Sequence, residues 1–347
     1  MTQYEGDPIE YYEDVWNEFC AWLLSEHDSQ KTINRRRTGS KQYLNWCGEH
    51  DVDPRTAGQA VVEDYLEDKS YLASNTRENA YTSVMVLYNW WIRGRDGITR
   101  EHNPCADLDI TDYTTSGSKY VRMLAREGKS DLKALSKTTV EALFPYAADE
   151  GARTELRNEA LLRLAWDSAA RCDELARMRV EKIDWDDRYI SIRSSKLDPD
   201  QELFRRRVFF SPTTKRYLDL WVSGGRQSLS STFADSEYLW ISQQDSQLDP
   251  GYISRIVKEA AFRHDRDPAT DEDIQYKMYD DAANKPRWLV TGHRIRVSRI
   301  TYLANKTPME IHHIRMLAGH QRLETTMGYV VTDWDEAAAD YHNAIGE

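Results

Sequence analysis

The sequence predicts a mainly α protein of two helical domains, the second carrying a small antiparallel β-hairpin or sheet. Three observations carry this expectation. Apolar residues recur at three- and four-residue spacing through most of the chain, as one buried helix face requires. Strict alternation is confined to two short stretches, residues 188–193 and 206–210. Between the helical halves, residues 108–135 lose periodicity and gather Thr, Ser and Gly (Thr114-Thr115-Ser116-Gly117-Ser118), the composition of a linker. A length of 347 residues accommodates two domains.

Taken in order, an acidic tail (1–8) precedes a helical domain over 9–107. Its first helix buries Ile9, Tyr12, Val15, Trp16, Phe19 and Trp22; its second carries Tyr43, Leu44 and Trp46; its third Ala60, Val61, Tyr65 and Leu66. The fourth follows a cap at Asn75 and carries Tyr81, Val84, Met85, Tyr88, Trp91 and Ile92, until Asn103-Pro104 stops the pattern. This aromatic stripe reads as core. The second domain spans 136–331, with helices over Thr138–Ala147 and Leu156–Asp167 and another from Arg171. The hairpin turns through Ser194–Gln201, and residues 264–285 read as an acidic, irregular inserted loop. Helices return for Gly292–Asn305, Met309–Ala318 and Thr325–Val331 before an acidic tail, 332–347.

Acids outnumber bases by 58 to 46, a net charge of −12 with an isoelectric point near 5.3. Taken alone, that balance argues against a polyanionic partner, yet net charge constrains solubility more than it forbids a local basic site. The distribution is uneven: Lys31, Arg35, Arg36, Arg37 and Lys41 follow a long acidic stretch, and Arg205, Arg206 and Arg207 form a second basic run. Lysine supplies only 14 of the 46 bases, and an acidic, lysine-poor surface suits concentrated salt. No apolar run reaches the roughly 18 residues of a membrane helix, and the acidic N-terminus lacks the features of a signal peptide. Cys20, Cys47, Cys105 and Cys172 form no CxxC pair and have no histidine at zinc-ligand spacing. The expectation is a soluble cytoplasmic chain with free thiols, no metal and no cofactor.

Several polar groups in the second half have a spacing that core packing does not require. Arg171 and Glu174 share a helix face at i and i+3, and His293 and Arg296 repeat that arrangement in Gly292-His-Arg-Ile-Arg296. Gly319 ends a helix, His320 opens the turn, and Thr325-Thr326 can cap a short helix that projects Tyr329.

The ordered set Arg171, Lys196, His293, Arg296, His320 and Tyr329 resembles the tyrosine recombinase (phage integrase) family, in a form suited to halophilic archaea. The supporting contexts are Ala170-Arg-Cys-Asp-Glu-Leu175, Ser195-Lys196 in the hairpin, and Gly319-His320 followed nine residues later by Tyr329. The chain departs from the family where Ser168-Ala169-Ala170 replaces a common Thr-Gly-Leu, Val297 stands for His, and Ala318 for Leu. The resemblance implies a two-domain DNA clamp: a core-binding (SAM-like) bundle followed by a catalytic domain. It implies a site-specific recombinase that cuts and rejoins DNA through a 3′-phosphotyrosyl intermediate, with Tyr329 attacking the phosphorus. Such a mechanism stores the bond energy in a covalent ester.

Within that mechanism Arg171 and Arg296 stabilise the charged transition state, a task for planar, always-charged guanidinium groups. Lys196 protonates the leaving oxygen, His293 assists proton transfer near the tyrosine, His320 donates to the phosphate, and Glu174 orients the cluster. The two basic runs become phosphate anchors, which position a duplex without reading its sequence. The implied partners are double-stranded DNA and, on paired sites, three further copies of the chain, which is a monomer when free; no membrane is involved. A catalytically silent DNA-binding relative and a type IB topoisomerase are the alternatives.

Overall fold

The computed structural model describes residues 13–26, 30–72, 74–93, 103–113, 134–194, 197, 199–244, 247–280, 286–330 and 342. Lys196, residues 114–133 of the expected linker, the tail 1–8 and all of 332–347 except His342 lie outside them. The chain divides into two compact units, 1–128 and 129–347.

In the first unit, α1 (Glu13–Glu26), α2 (Gln30–Glu49), α3 (Gln59–Asp68) and α4 (Ser74–Ile92) surround an aromatic core. Asn75, the expected cap, falls inside the first turn of α4. Phe19, Tyr43, Tyr65, Tyr88, Trp90 and Trp91 are each at most 2% exposed, so these rings are packing material. Helices α2 and α4 approach closely at Gly39, where a β-carbon would collide with the Ser83 hydroxyl. Beside it, the Ser40 hydroxyl donates to the Ser83 carbonyl at 3.1 Å. Buried hydroxyls need partners. Tyr88 donates to the Pro54 carbonyl at 2.7 Å, so Tyr43, 2.8 Å away, donates to Tyr88. Cys105, Leu108, Ile110 and Tyr113 join the same core. The stretch 108–113, expected in the linker, therefore packs as part of this unit.

The second unit opens with Leu135, whose N–H donates to the Ser298 hydroxyl at 2.8 Å. Ser136 caps α5 (Lys137–Ala142) by accepting the Thr139 N–H. This helix is shorter than its apolar pattern suggests, because Pro145 converts the continuation into a 3₁₀ turn. Helix α6 (Glu155–Ser168) is buried on most faces and leads into the short α7 (Cys172–Ala176). The alternating segments form β2 (Tyr189–Arg193) and β3 (Arg205–Phe209), joined by a two-residue β1 (Ile183–Asp184) into a three-stranded antiparallel sheet. Ile190 and Ile192 face inward, and across the register so do Val208 and Arg206. Helix α8 (Pro212–Leu220) is tied to α6 by the Asp167 carboxylate, which accepts from the Ser211 N–H and the Thr214 hydroxyl. Helices α9 (Arg226–Leu229) and α10 (Pro250–Arg266) follow, the latter capped by Asp249.

Residues 264–280 correct the sequence reading; 281–285 of the expected loop lie outside the described residues. Helix α10 runs to Arg266, and β4 (Lys277–Asp280) pairs with β5 (Pro286–Trp288) as a second, small sheet. The acids that looked irregular have backbone work. The Asp265 carboxylate accepts the N–H groups of Ile274 and Gln275, both at 2.8 Å. Helices α11 (Gly292–Lys306), α12 (Ile311–Ala318) and α13 (Leu323–Met327) complete the unit. Thr325 and Thr326 lie within α13, not at its cap. Among the described residues, no helix is long and apolar enough to cross a membrane.

Candidate active site

Helix α6 ends on Ala169, a non-glycine residue at φ 49°. This left-handed turn reverses the chain, places Arg171 at the start of α7 and leaves the Ala169 carbonyl pointing at Arg296, which donates to it. Glu174, on the first turn of α7, is 1% exposed. Its Oε2 accepts the Arg171 backbone N–H at 2.8 Å and its Oε1 accepts from Arg171 Nη1 at 3.0 Å. Burial alone would push the Glu174 carboxyl up; the hydrogen bonds and charges of Arg206 and Arg171 outweigh it and hold the group at about 2.

Arg206 comes from β3. Its Nη1 and Nη2 donate to Glu174 Oε1 and Oε2 at 2.9 and 2.8 Å, and its Nε donates to the Leu317 carbonyl at 3.0 Å. This corrects its assignment as a surface phosphate anchor: the alternation that exposes Arg205 and Arg207 turns Arg206 inward.

On α11, Arg296 is 3% exposed, and besides Ala169 it donates to the Ala318 carbonyl at 2.7 Å and to His320 Nε2 at 3.0 Å. None of these acceptors is charged. Burial and the neighbouring Arg171 bring its guanidinium down to about 9, which leaves it a cation at neutral pH. His320 follows Gly319, whose φ of 65° ends α12; the N–H groups of both residues fold back onto the Met316 and Arg315 carbonyls. An arginine only donates, so His320 Nε2 accepts, and Nδ1 carries the proton toward the Thr326 hydroxyl 3.0 Å away. Burial, then the charges of Arg296, Arg171 and Arg206, lower the His320 imidazole to about 4. In this structure His320 is thus an acceptor toward Arg296, where the sequence suggested a donor toward an anion.

Tyr329 is half-buried just beyond α13. Its ring stacks on His320 with centroids 5.8 Å apart and planes 14° from parallel, and its carbonyl accepts from Asn305. The structure therefore brings Arg171, Glu174, Arg296, His320 and Tyr329 into one cluster. His293 is exposed on the first turn of α11, one turn before Arg296. Lys196 falls between β2 and β3, outside the described residues.

Sequence reasoning missed two features. Thr326, fully buried, accepts from His320 Nδ1 once Arg296 has set the tautomer; the sequence suggested only a helix cap for it. The other is a cleft of about 600 Å³ beside Glu174 and Arg206, lined by Arg177, Arg179, Lys182, Arg193, Arg205 and Arg207. Arg193 and Arg205 are register partners on the exposed face of the sheet. Like charges placed directly opposite one another are destabilising. Alternation from Ile190 and Ile192 would have exposed Arg193. In the first unit, Lys31, Arg35, Arg37 and Lys41 are exposed along α2. Arg36 is half-buried, with Nη1 3.5 Å from the Ser83 hydroxyl.

Residues 133–335, more than half of the chain, match the phage integrase family. A probable integrase/recombinase protein of Methanocaldococcus jannaschii is 20% identical over 88% of this chain and 81% of its own length. Tyrosine recombinase XerC 2 of Ralstonia nicotianae is 24% identical over 90% of this chain and 79% of its own. The fold resembles the Tn1549 transposon integrase in complex with transposon right-end DNA (TM-score 0.66, 13% identity, 95% of this chain and 99% of that one). It also resembles the XerH site-specific recombinase bound to difH substrate (TM-score 0.63, 12% identity, 97% of both chains). Fold, site and relatives define a DNA strand transferase that acts at specific sites. The chain belongs to the phage integrase family.

Proposed function

We propose that Tyr329 is the nucleophile of site-specific recombination, with Arg171 and Arg296 at the scissile phosphate and Lys196 at the leaving oxygen. One observation supports this above all: Tyr329 stacks on the imidazole that accepts from the buried Arg296 guanidinium. The Tyr329 oxygen attacks phosphorus and the bond from phosphorus to the 5′-oxygen breaks. His293 helps the phenolic proton leave, and Lys196 supplies a proton to the 5′-oxygen. The products are a 3′-phosphotyrosine and a free 5′-hydroxyl; an incoming 5′-hydroxyl from another strand reverses every step. Two guanidinium groups fixed before the reaction hold the charge that develops on the nonbridging oxygens. As that charge grows it raises the pKa of His320, which can then donate to the phosphate instead of accepting from Arg296.

Arg205 and Arg207, with the other cations of the sheet cleft, contact the DNA backbone near the cut, and Lys31, Arg35, Arg36, Arg37 and Lys41 contact it from the first unit. Four copies assemble on two paired sites, the segment 332–347 packing on a neighbour. The acidic, arginine-rich composition suits a halophile. Binding that persists into molar KCl supports that last point; the usual steep decline with salt removes it.

The test is capture from a pool of duplexes with random flanks around one 5′-bridging phosphorothiolate. The sulfur leaves as a thiol that does not rejoin, so a covalent adduct accumulates. The expected result is an SDS-stable band with the natural protein and none with Tyr329→Phe, which still shifts the duplex in a gel. On the selected sequence, Lys196→Ala blocks cleavage of the oxygen-bridged duplex but not of the sulfur-bridged one, whose leaving group needs no acid. No adduct with the natural protein, or an undiminished one with Tyr329→Phe, overturns the reading.

A further inference from the structure

Arg206 has no part in the reaction as proposed above, yet it is 7% exposed and uses both faces of its donor fork. It joins three pieces of the site: β3, whose partner strand leads into Lys196; the start of α7, through Glu174; and the end of α12, through the Leu317 carbonyl. Its guanidinium lies so close to Gly319 that a β-carbon there would sit 2.9 Å from Cζ.

The decisive feature is how Glu174 is shared. One carboxylate faces two guanidinium groups. Arg206 grips both of its oxygens in a fork, whereas Arg171 gives it a single side-chain donor at 3.0 Å. Arginine has five N–H donors; Glu174 takes one from the Arg171 side chain, which keeps 22% of its surface exposed. Resting on the reading above, we propose that Arg206 is a positioning residue: by saturating Glu174 it keeps Arg171 available to the scissile phosphate. With Arg206 gone, a fully buried carboxylate is left with one cation. The strong preference of a buried charge for a bidentate partner then draws Arg171 into the fork. The phosphate must compete with Glu174 for the same guanidinium, and the cluster loses one of its cations.

This account makes a non-additive prediction. On the duplex selected by capture, Arg206→Met slows single-turnover adduct formation about 10²-fold, the scale of losing one preorganised donor, while noncovalent binding stays within about threefold. Adding Glu174→Gln removes the competitor, and the double variant regains at least about tenfold over Arg206→Met. Losses that multiply, or a double variant no faster than the single one, overturn the proposal. The defect of Arg206→Met persists on the sulfur-bridged duplex, because it acts through Arg171. Rescue by sulfur would tie Arg206 to Lys196 instead and also overturn it. Thermal unfolding checks that each variant is folded; should Arg206→Met not fold, Arg206→Lys with and without Glu174→Gln carries the same comparison. The natural protein and Tyr329→Phe run alongside: a missing natural adduct faults the nucleophile assignment, whereas a normal one with no rescue faults Arg206 alone.

Discussion

Tyr43 in the helical bundle and Tyr329 in the second unit are the same side chain in opposite surroundings. Tyr43 is fully buried and donates to Tyr88, which donates in turn to the Pro54 carbonyl. Burial, followed by the neighbouring Tyr88, pushes its phenol well above the ordinary value. Tyr329 is half-buried, lies against an imidazole and belongs to a cluster whose cations exceed its carboxylates. The contrast teaches that a tyrosine's role follows from what its neighbours leave unsatisfied. The bundle completes every bond Tyr43 offers. The second unit instead holds Arg296 against neutral acceptors, so its charge is still to be met by an anion.

The sharpest way to break this contrast is to delete each hydroxyl. Tyr329→Phe should reduce covalent adduct more than about 10⁴-fold, as removal of a nucleophile does, with unfolding in urea little changed. Tyr43→Phe should do the reverse, costing about 1 kcal/mol of stability through one lost buried hydrogen bond and leaving the adduct within about twofold. Equal effects on adduct formation from the two changes would erase the distinction.

A smaller effect is expected at Gly319. Its left-handed φ of 65° favours glycine, and its missing β-carbon is what lets the Arg206 guanidinium lie flat against the turn. Gly319→Ala adds about 1 kcal/mol of backbone strain and must also move a side chain held by three hydrogen bonds. A total loss of roughly 2–4 kcal/mol in denaturant unfolding is expected, with adduct formation slowed as in Arg206→Met. The same exchange at Gly58 in the bundle, the N-cap of α3, where a β-carbon meets nothing within 4 Å, should cost at most about 1 kcal/mol and be nearly silent in adduct formation. If Gly319→Ala proves equally silent, Arg206 is not packed as described.

These positions also mark how far the sequence could be read. Helix faces were legible because apolar spacing is set by burial, and the main sheet because β2 and β3 alternate strictly. The ordered motif residues were legible by resemblance, and geometry gathers four of them, Arg171, Arg296, His320 and Tyr329, together with Glu174. What escaped depended on tertiary contact. Three consecutive arginines at 205–207 look alike in a list, although the inward Val208 already implied that Arg206 turns inward too. The second sheet was hidden because β4 and β5 are short and flanked by acids whose purpose, accepting N–H groups across a turn, appears only in three dimensions. At Ala169 the family's frequent glycine is replaced, yet the backbone keeps the left-handed turn, so the departure changed the residue and spared the geometry.

The subtlest prediction concerns protons, and it separates the two charged groups at the centre of the site. His320 is held at about 4 when folded, against an ordinary imidazole value near 6.5. Between those values the unfolded chain binds a proton that the folded chain refuses. Stability therefore falls as pH is lowered from about 6.5 toward 4, and above that window His320 contributes no pH dependence. Glu174, held at about 2, behaves in the opposite sense of charge: its contribution is complete above the ordinary carboxylate value near 4.5 and is lost as pH falls toward 2. Urea unfolding of the second unit across pH 4–7 should thus slope upward with pH in the natural protein, and His320→Asn should flatten that slope while leaving the steeper loss below pH 4.5. Identical slopes in the two proteins would mean that His320 titrates freely. On the proposed function, a bound duplex brings a phosphate to Arg296 and offers the imidazole an anion, so the ring resonances of His320 should then titrate at higher pH than in the free protein.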